Sequence, residues 1–266
     1  ADEDEYIVAE AARAINDDFS IEPALPDLAA ILKETRFTSE PLLRRAINAN
    51  SRLGQAENLQ LLVDFAKREN VDQEIRAEAL ATLSVWAKPS VLDRVDGRYR
   101  GEVERDAAPV KAAMEPLLAE LLNSSNPGMR VTAIAAAGKL GIAALAEPVE
   151  ALFQNGQNDE IKVAALKALE NIDKDRFSQA ITAAISMRSS PLRSEALGLL
   201  SEIDYPAADA VNLYSTILGD GSTREKQTVL KALGEMKADA ANQVLATKLE
   251  AYKAGQLDAD LELELV

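Results

Sequence analysis

The sequence predicts an all-α fold, a right-handed solenoid of about seven helical pairs. Three observations point there. A nine-residue pattern recurs along the chain at a spacing near 33 residues. Apolar residues follow helical rather than alternating spacing almost throughout. Turn signals fall between the copies, as in Asn126-Pro127-Gly128, Ser189-Ser190-Pro191 and Gly219-Asp220-Gly221-Ser222.

The pattern is a hydrophobe, often a basic residue, two variable positions, Ala, a hydrophobe, two variable positions, then a hydrophobe or Ala. It reads most clearly in Ile75–Leu83, Met129–Ala137, Ile161–Leu169 and Leu192–Leu200. Weaker copies are Ile7–Ile15, Leu42–Asn50 and Glu225–Leu233. Its anchors are read as Ala11, Ala46, Ala79, Ala133, Ala165, Ala196 and Thr228, separated by 35, 33, 54, 32, 31 and 32 residues. The outlier places one insertion between Ala79 and Ala133. Each copy is the first helix of a pair, and a small anchor lets the neighbouring helix approach closely. The second helix carries larger hydrophobes, such as Leu145, Val149, Leu152 and Phe153, or Phe177, Ile181, Ala184 and Ile185. Asn126, Asp159, Ser190 and Ser222 are the expected N-caps.

The pattern resembles the HEAT family of repeats in a short form. The acidic turn residue followed by a basic one is present as Asp72 with Arg76 and Asp159 with Lys162, and Asn126 before Arg130 has an amide in the acidic position. The tetratricopeptide and ankyrin patterns are missing. A single HEAT-like α-solenoid is expected over 1–255, with an inserted loop at about 88–109. Residues 256–266 are expected to form an acidic C-terminal tail or truncated linker.

Composition narrows function further. The 266 residues include no His and no Cys. That removes thiolate nucleophiles, Ser-His-Asp triads and the usual zinc and haem ligand sets. No catalytic, cofactor-binding or metal-ligating residues are assigned. The net charge of −15 opposes nucleic-acid binding, which needs a basic face. No apolar run is long enough to span a membrane. The many paired carboxylates, as at Asp2–Glu5, read as solvated faces. The 47 Ala residues are accounted for by close helix packing. The chain begins at Ala1 without a basic and apolar leader, so it is expected to be a processed chain or an excised fragment.

The insertion, KPSVLDRVDGRYRGEVERDAAP, is the unusual segment. Pro89, Gly97 and Gly101 interrupt helix, and its five basic and five acidic residues leave it neutral within an acidic chain. Arg94, Arg98, Tyr99 and Arg100 lie close in sequence to Trp86, the one Trp. With Asp93 they form a candidate interaction patch, since Arg and aromatic residues are enriched at interface anchors. A second reading stands beside it: the arginines pair with Asp93, Asp96 or neighbouring acids, and the loop folds over a helix pair with Trp86 beneath.

The run Trp86–Arg100 and the opening Glu10–Asp17 also resemble the helical-repeat region of large bacterial multidomain proteins. In those, a sugar-dehydrogenase-like β-propeller precedes HEAT-like repeats and a c-type cytochrome domain follows. That resemblance implies a fragment of a larger extracytoplasmic redox protein. Its redox activity has no residue to rest on here. The expected function is a non-catalytic scaffold binding another protein or neighbouring domains of the same chain, with basic patches on the partner favoured by the acidic charge. The alternative is a HEAT-like enzyme of the bilin-lyase or DNA-alkylation-repair type.

Overall fold

The computed structural model describes residues 2–265. Among these residues there are fifteen α-helices, and the only β-pairing is an isolated bridge between Leu92 and Tyr99. Contacts gather the chain into two compact units, 1–149 and 150–266.

The first unit contains α1 (Glu5–Asp17), α2 (Leu25–Ala30), α3 (Glu40–Leu53), α4 (Ala56–Ala66), α5 (Gln73–Ser84), α6 (Ala108–Leu121) and α7 (Pro127–Leu140). Short 3₁₀ turns, Phe19–Ala24 and Ile31–Lys33, flank α2. Helix α8 (Ala146–Asn155) begins in this unit and runs across the boundary. The odd-numbered helices form one layer, α1 on α3, α3 on α5 and α5 on α7. Among the even-numbered helices, α4 packs on α6. Each pair thus buries its apolar face mainly against its sequence neighbours, which defines a solenoid.

The second unit repeats the scheme with α9 (Asp159–Ile172), α10 (Lys174–Ile185), α11 (Ser190–Gly198), α12 (Ala207–Asp220), α13 (Thr223–Glu235) and α14 (Asp239–Lys253). Here α9 packs on α11, α11 on α13, and α12 on α14. Each unit is therefore an all-α solenoid of stacked helical pairs, with seven pairs among the described residues. The acidic C-terminal stretch is more than a tail. A 3₁₀ turn, Ala259–Leu261, leads into α15 (Glu262–Leu265), and both pack on α13. Leu261 is buried, and Gln227 donates to the Asp260 carbonyl at 2.7 Å.

Ala46, Ala79, Ala133, Ala165 and Ala196 are all fully buried between helices, as close packing requires. Two anchors move by one residue. Ala12, not Ala11, is buried in α1, and Val229, not Thr228, in α13. Val8, Ala12 and Asn16 then fall four residues apart on one helix face, as do Glu225, Val229 and Leu233. The N-caps of α7 and α13 are Asn126 and Ser222, as expected. Those of α9 and α11 lie one residue earlier, at Asn158 and Ser189. The basic residue at the second pattern position has a physical task. Arg76 Nε donates to the Ala66 carbonyl at 3.0 Å, Arg130 to that of Ser124 at 2.9 and 2.7 Å, and Arg193 Nη1 to that of Met187 at 3.2 Å. Each places a cation at or just beyond the C-terminal end of the preceding helix, where its unpaired carbonyls and dipole favour positive charge.

In the second unit a polar ladder joins α11 to α13. Ser190 Oγ and Ser222 Oγ are 2.7 Å apart, as are Ser194 Oγ and Thr228 Oγ1. Between them Arg193 Nε donates to Glu225 Oε1 at 2.5 Å. Glu225 also takes the Ser222 amide and hydroxyl at 2.8 and 2.6 Å, closing the α13 capping box. Burial alone would raise the Glu225 carboxyl, but hydrogen bonds from Arg193 and Ser222 outweigh it and push it down to about 2.

Two outcomes follow. Leucine at Ala133 overpacks a closed interface and lowers unfolding free energy by about 1–3 kcal/mol, whereas leucine at exposed Ala11 changes it by less than about 0.5 kcal/mol; urea denaturation measures both. Because the folded Glu225 carboxyl titrates below its unfolded value, its stabilisation is present above an unfolded pKa of about 4.3 and is lost as pH falls towards about 2. The stability gap between the native chain and Glu225→Gln should therefore be flat above pH ~5 and shrink below it.

Candidate functional site

The insertion occupies the connection between α5 and α6, inside the third helical pair. It folds as a short hairpin. Arg100 N donates to the Val91 carbonyl and Asp93 N to that of Arg98, each at 2.8 Å, on either side of the Leu92–Tyr99 bridge. The turn is closed by Gly97 N on the Asp93 carbonyl at 3.0 Å. Gly97 takes φ of 71°, a left-handed conformation that glycine adopts without a Cβ penalty.

Asp93 fixes the hairpin to the repeats. Its Oδ1 accepts from the backbone of Val95 and Asp96 at 2.9 and 3.1 Å. Its Oδ2 accepts from Asn48 Nδ2 at 2.9 Å and Arg100 Nε at 3.0 Å. Asn48, on α3, also donates to Asn16 Oδ1 of α1 at 2.9 Å. Arg100 Nη2 reaches the Asn16 carbonyl at 2.9 Å and Asp96 at 2.8 Å. The hairpin and α3 thus meet at one carboxylate that is only 8% exposed, and α1 joins them through Asn48 and Arg100. Burial acts to raise this carboxyl, but the hydrogen bonds from Asn48, Val95, Asp96 and Arg100 together hold it below the usual carboxylate range.

The other arginines extend the attachment. Arg94 Nε pairs with Glu78 of α5 at 2.8 Å, and Arg44 of α3 shares that carboxylate at 3.3 Å. Arg98 donates to the Asp17 carbonyl. Arg105, at the far end of the insertion, donates to the carbonyls of Trp86 and Ser51 at 2.8 and 2.6 Å. Its guanidinium carbon lies 4.8 Å from the centre of the Trp86 ring, a cation–π distance. Gly54, at φ of 66° after α3, makes room: a Cβ there would come within 2.5 Å of Arg105 Nε.

The six candidate residues therefore divide. Trp86, 3% exposed, lies beneath Arg105 and is part of the core. Asp93 and Arg100 form the buried attachment. Arg94 and Arg98 sit at the rim with acceptors of their own. Tyr99 faces outward, 66% exposed, with Leu92 beside it at 51%. The pairing arginines and the covered Trp match the second sequence reading. Leu92, Val91 and Val103 were not singled out by the sequence, yet each is exposed on the insertion, Leu92 and Val103 also bordering the cavity lined by Arg105. Asn16 and Asn50 were also missed. Asn50 occupies the ninth pattern position, where other copies carry Leu or Ala, and that substitution is the signal that would have found it; Asn16 takes the same position only once the first copy is shifted to Val8–Asn16.

No family model and no curated protein matches the chain. Solved structures are similar in part. One is of the complex of CpcE and CpcF of phycocyanin lyase from Nostoc sp. PCC7120, with 18% identity over 96% of this chain and 91% of that one and a TM-score of 0.44. An engineered protein matches at 18% identity over 93% and 97%, with a TM-score of 0.40. A designed armadillo repeat protein in complex with the peptide (KR)4 matches at 16% identity over 92% and 99%, with a TM-score of 0.38.

Removing the Asp93 carboxylate takes one acceptor from Arg100, which keeps Asp96 and the Asn16 carbonyl, and one from Asn48, which keeps Asn16. Asp93→Ala should cost roughly 2–3 kcal/mol in urea denaturation. The same change at Asp106, which caps only the backbone of Ala108, should cost about 1 kcal/mol.

Proposed function

We propose that this chain is a non-catalytic helical-repeat interaction module and that its inserted hairpin is the contact surface. The observation that supports this best is the placement of its exposed apolar side chains. Nine large hydrophobic residues are exposed among the described residues, and four of them, Val91, Leu92, Tyr99 and Val103, lie in this one insertion. Val91, Leu92 and Tyr99 are carried on a hairpin fastened to the repeats by Asp93, Arg94, Arg98 and Arg100, and Val103 follows it. A contact surface held in one conformation loses little entropy on binding. Tyr supplies a large amphipathic area with few rotatable bonds.

The partner is another protein or a neighbouring domain of the same chain. A net charge of −15 favours a partner with basic patches and disfavours nucleic acid. No helix among the described residues is long and apolar enough to cross a membrane. The absence of His and Cys supports a non-catalytic role for this segment. The larger setting, an extracytoplasmic protein with a β-propeller and a c-type cytochrome, rests on the resemblance of Trp86–Arg100 and Glu10–Asp17 alone. The full open reading frame tests it: a propeller upstream or Cys-x-x-Cys-His downstream supports it.

A photo-crosslinking residue at position 99, used in the full-length protein in its native cell, tests the hairpin directly. The expected result is a discrete crosslinked polypeptide that is lost in Leu92→Ala and missing when the probe sits at exposed Glu115. Crosslinks identical at the two positions would remove the hairpin from the interface. Leu92→Ala together with Tyr99→Ala should shift stability by less than about 0.5 kcal/mol, as expected of surface positions.

A further inference from the structure

Behind the hairpin, within the first unit, lies a cavity of about 270 Å³. Four arginines line it, Arg52, Arg94, Arg100 and Arg105, against two acids, Glu22 and Asp93. In a chain of net charge −15 this is a local inversion of sign. Three of the four cations are matched: Arg52 with Glu22 at 2.8 Å, Arg94 with Glu78 at 2.8 Å, and Arg100 with Asp93 at 3.0 Å. Arg105 is different. Among the described residues no carboxylate lies within 4.0 Å of it, and its hydrogen bonds go to two neutral carbonyls. Two of its five N–H groups are used that way, leaving three for solvent or a ligand. Pro89, Leu92 and Val103 supply an apolar side to the same cavity.

We propose that this cavity is a carboxylate-binding site, with Arg105 as the principal cation and the Pro89, Leu92 and Val103 side receiving a short apolar stem. A guanidinium presents paired donors that match a planar carboxylate, and partial burial strengthens the pairing. The volume admits a small organic acid or one acidic side chain of a peptide. Two sources share this chemistry: a free dicarboxylate and a glutamate on a partner protein.

Trp86 makes the site observable. It is the one Trp of the chain, and Arg105 lies over its ring. Titrating the intact chain with glutarate, and separately with N-acetyl-glutamate amide, should change Trp86 emission saturably in the millimolar range. Response to glutarate alone assigns a free acid; response to the capped residue assigns a peptide side chain; either supports the site. Arg105→Gln should weaken binding at least about tenfold, the loss of one charge-assisted contact, and Lys139→Gln, at an exposed position of α7 outside the cavity, should leave it unchanged. If Arg105→Gln fails to fold, Ser90→Glu serves instead. Ser90 is an exposed cavity-lining residue, and a carboxylate there should occupy Arg105 and abolish the response. No saturable change, a response equalled by chloride at the same ionic strength, or equal affinity in the folded Arg105→Gln or Ser90→Glu chain and the native one would overturn the proposal.

Discussion

The Asp93 carboxylate collects four hydrogen bonds from two directions: two from the backbone of its own turn, one from Asn48 on α3, and one from Arg100 across the hairpin. A buried carboxylate with fewer donors would be forced to take up a proton or draw in water. Fully satisfied, it turns the longest connection of the first unit into an ordered part of the repeat stack. The proposed functions of this chain depend on that constraint, because both the outward face with Leu92 and Tyr99 and the inward cavity with Arg105 are surfaces of the same fastened segment.

The repeats themselves tolerate the insertion because it sits within a helical pair rather than between stacked ones. Helix α5 still packs on α3 and α7, and α6 still packs on α4 and α7. The odd-numbered layer continues past the extra residues without a gap in the first unit. What changes is the polarity of the repeat positions beside it. Asn16 and Asn50 are buried where later copies bury Leu or Ala, and Asn48 is buried at a position that later copies leave exposed or half-buried. Asn16 and Asn48 face the hairpin network, while Asn50 ties the Ala29 and Ala46 carbonyls and Asn58. Buried polar groups of this kind are stable only when satisfied, so they constrain where the hairpin can lie.

Much of the fold was legible because it repeats. Small anchors, helical spacing and turn residues agreed from copy to copy, and the seven pairs follow from that agreement. The errors were of one residue where neighbours are chemically alike: Ala11 beside Ala12, Asn158 beside Asp159, Ser189 beside Ser190. Burial and hydrogen-bond geometry separate such neighbours, and composition does not. The site was only partly legible. Arg94, Arg98, Tyr99 and Arg100 were marked by their contrast with an acidic chain, and the pairing reading named Asp93 and Asp96 as partners. Trp86 was misleading as an anchor, since the residue that covers it, Arg105, lies 19 positions away in a stretch with no pattern of its own. The links from Asp93 to Asn48 and from Arg100 to Asn16 span 45 and 84 residues, distances over which a repeat pattern carries no information about side-chain partners.

The central claim is that the inserted segment is an ordered platform rather than a mobile loop. Native-state amide hydrogen exchange measures this most directly. The account predicts that the amides of Asp93, Gly97, Arg100 and Arg105, each donating to a backbone carbonyl, exchange at rates comparable to those in α3 and α5. Exchange of these four amides at the rate of an unstructured peptide, while α3 and α5 remain protected, would contradict it.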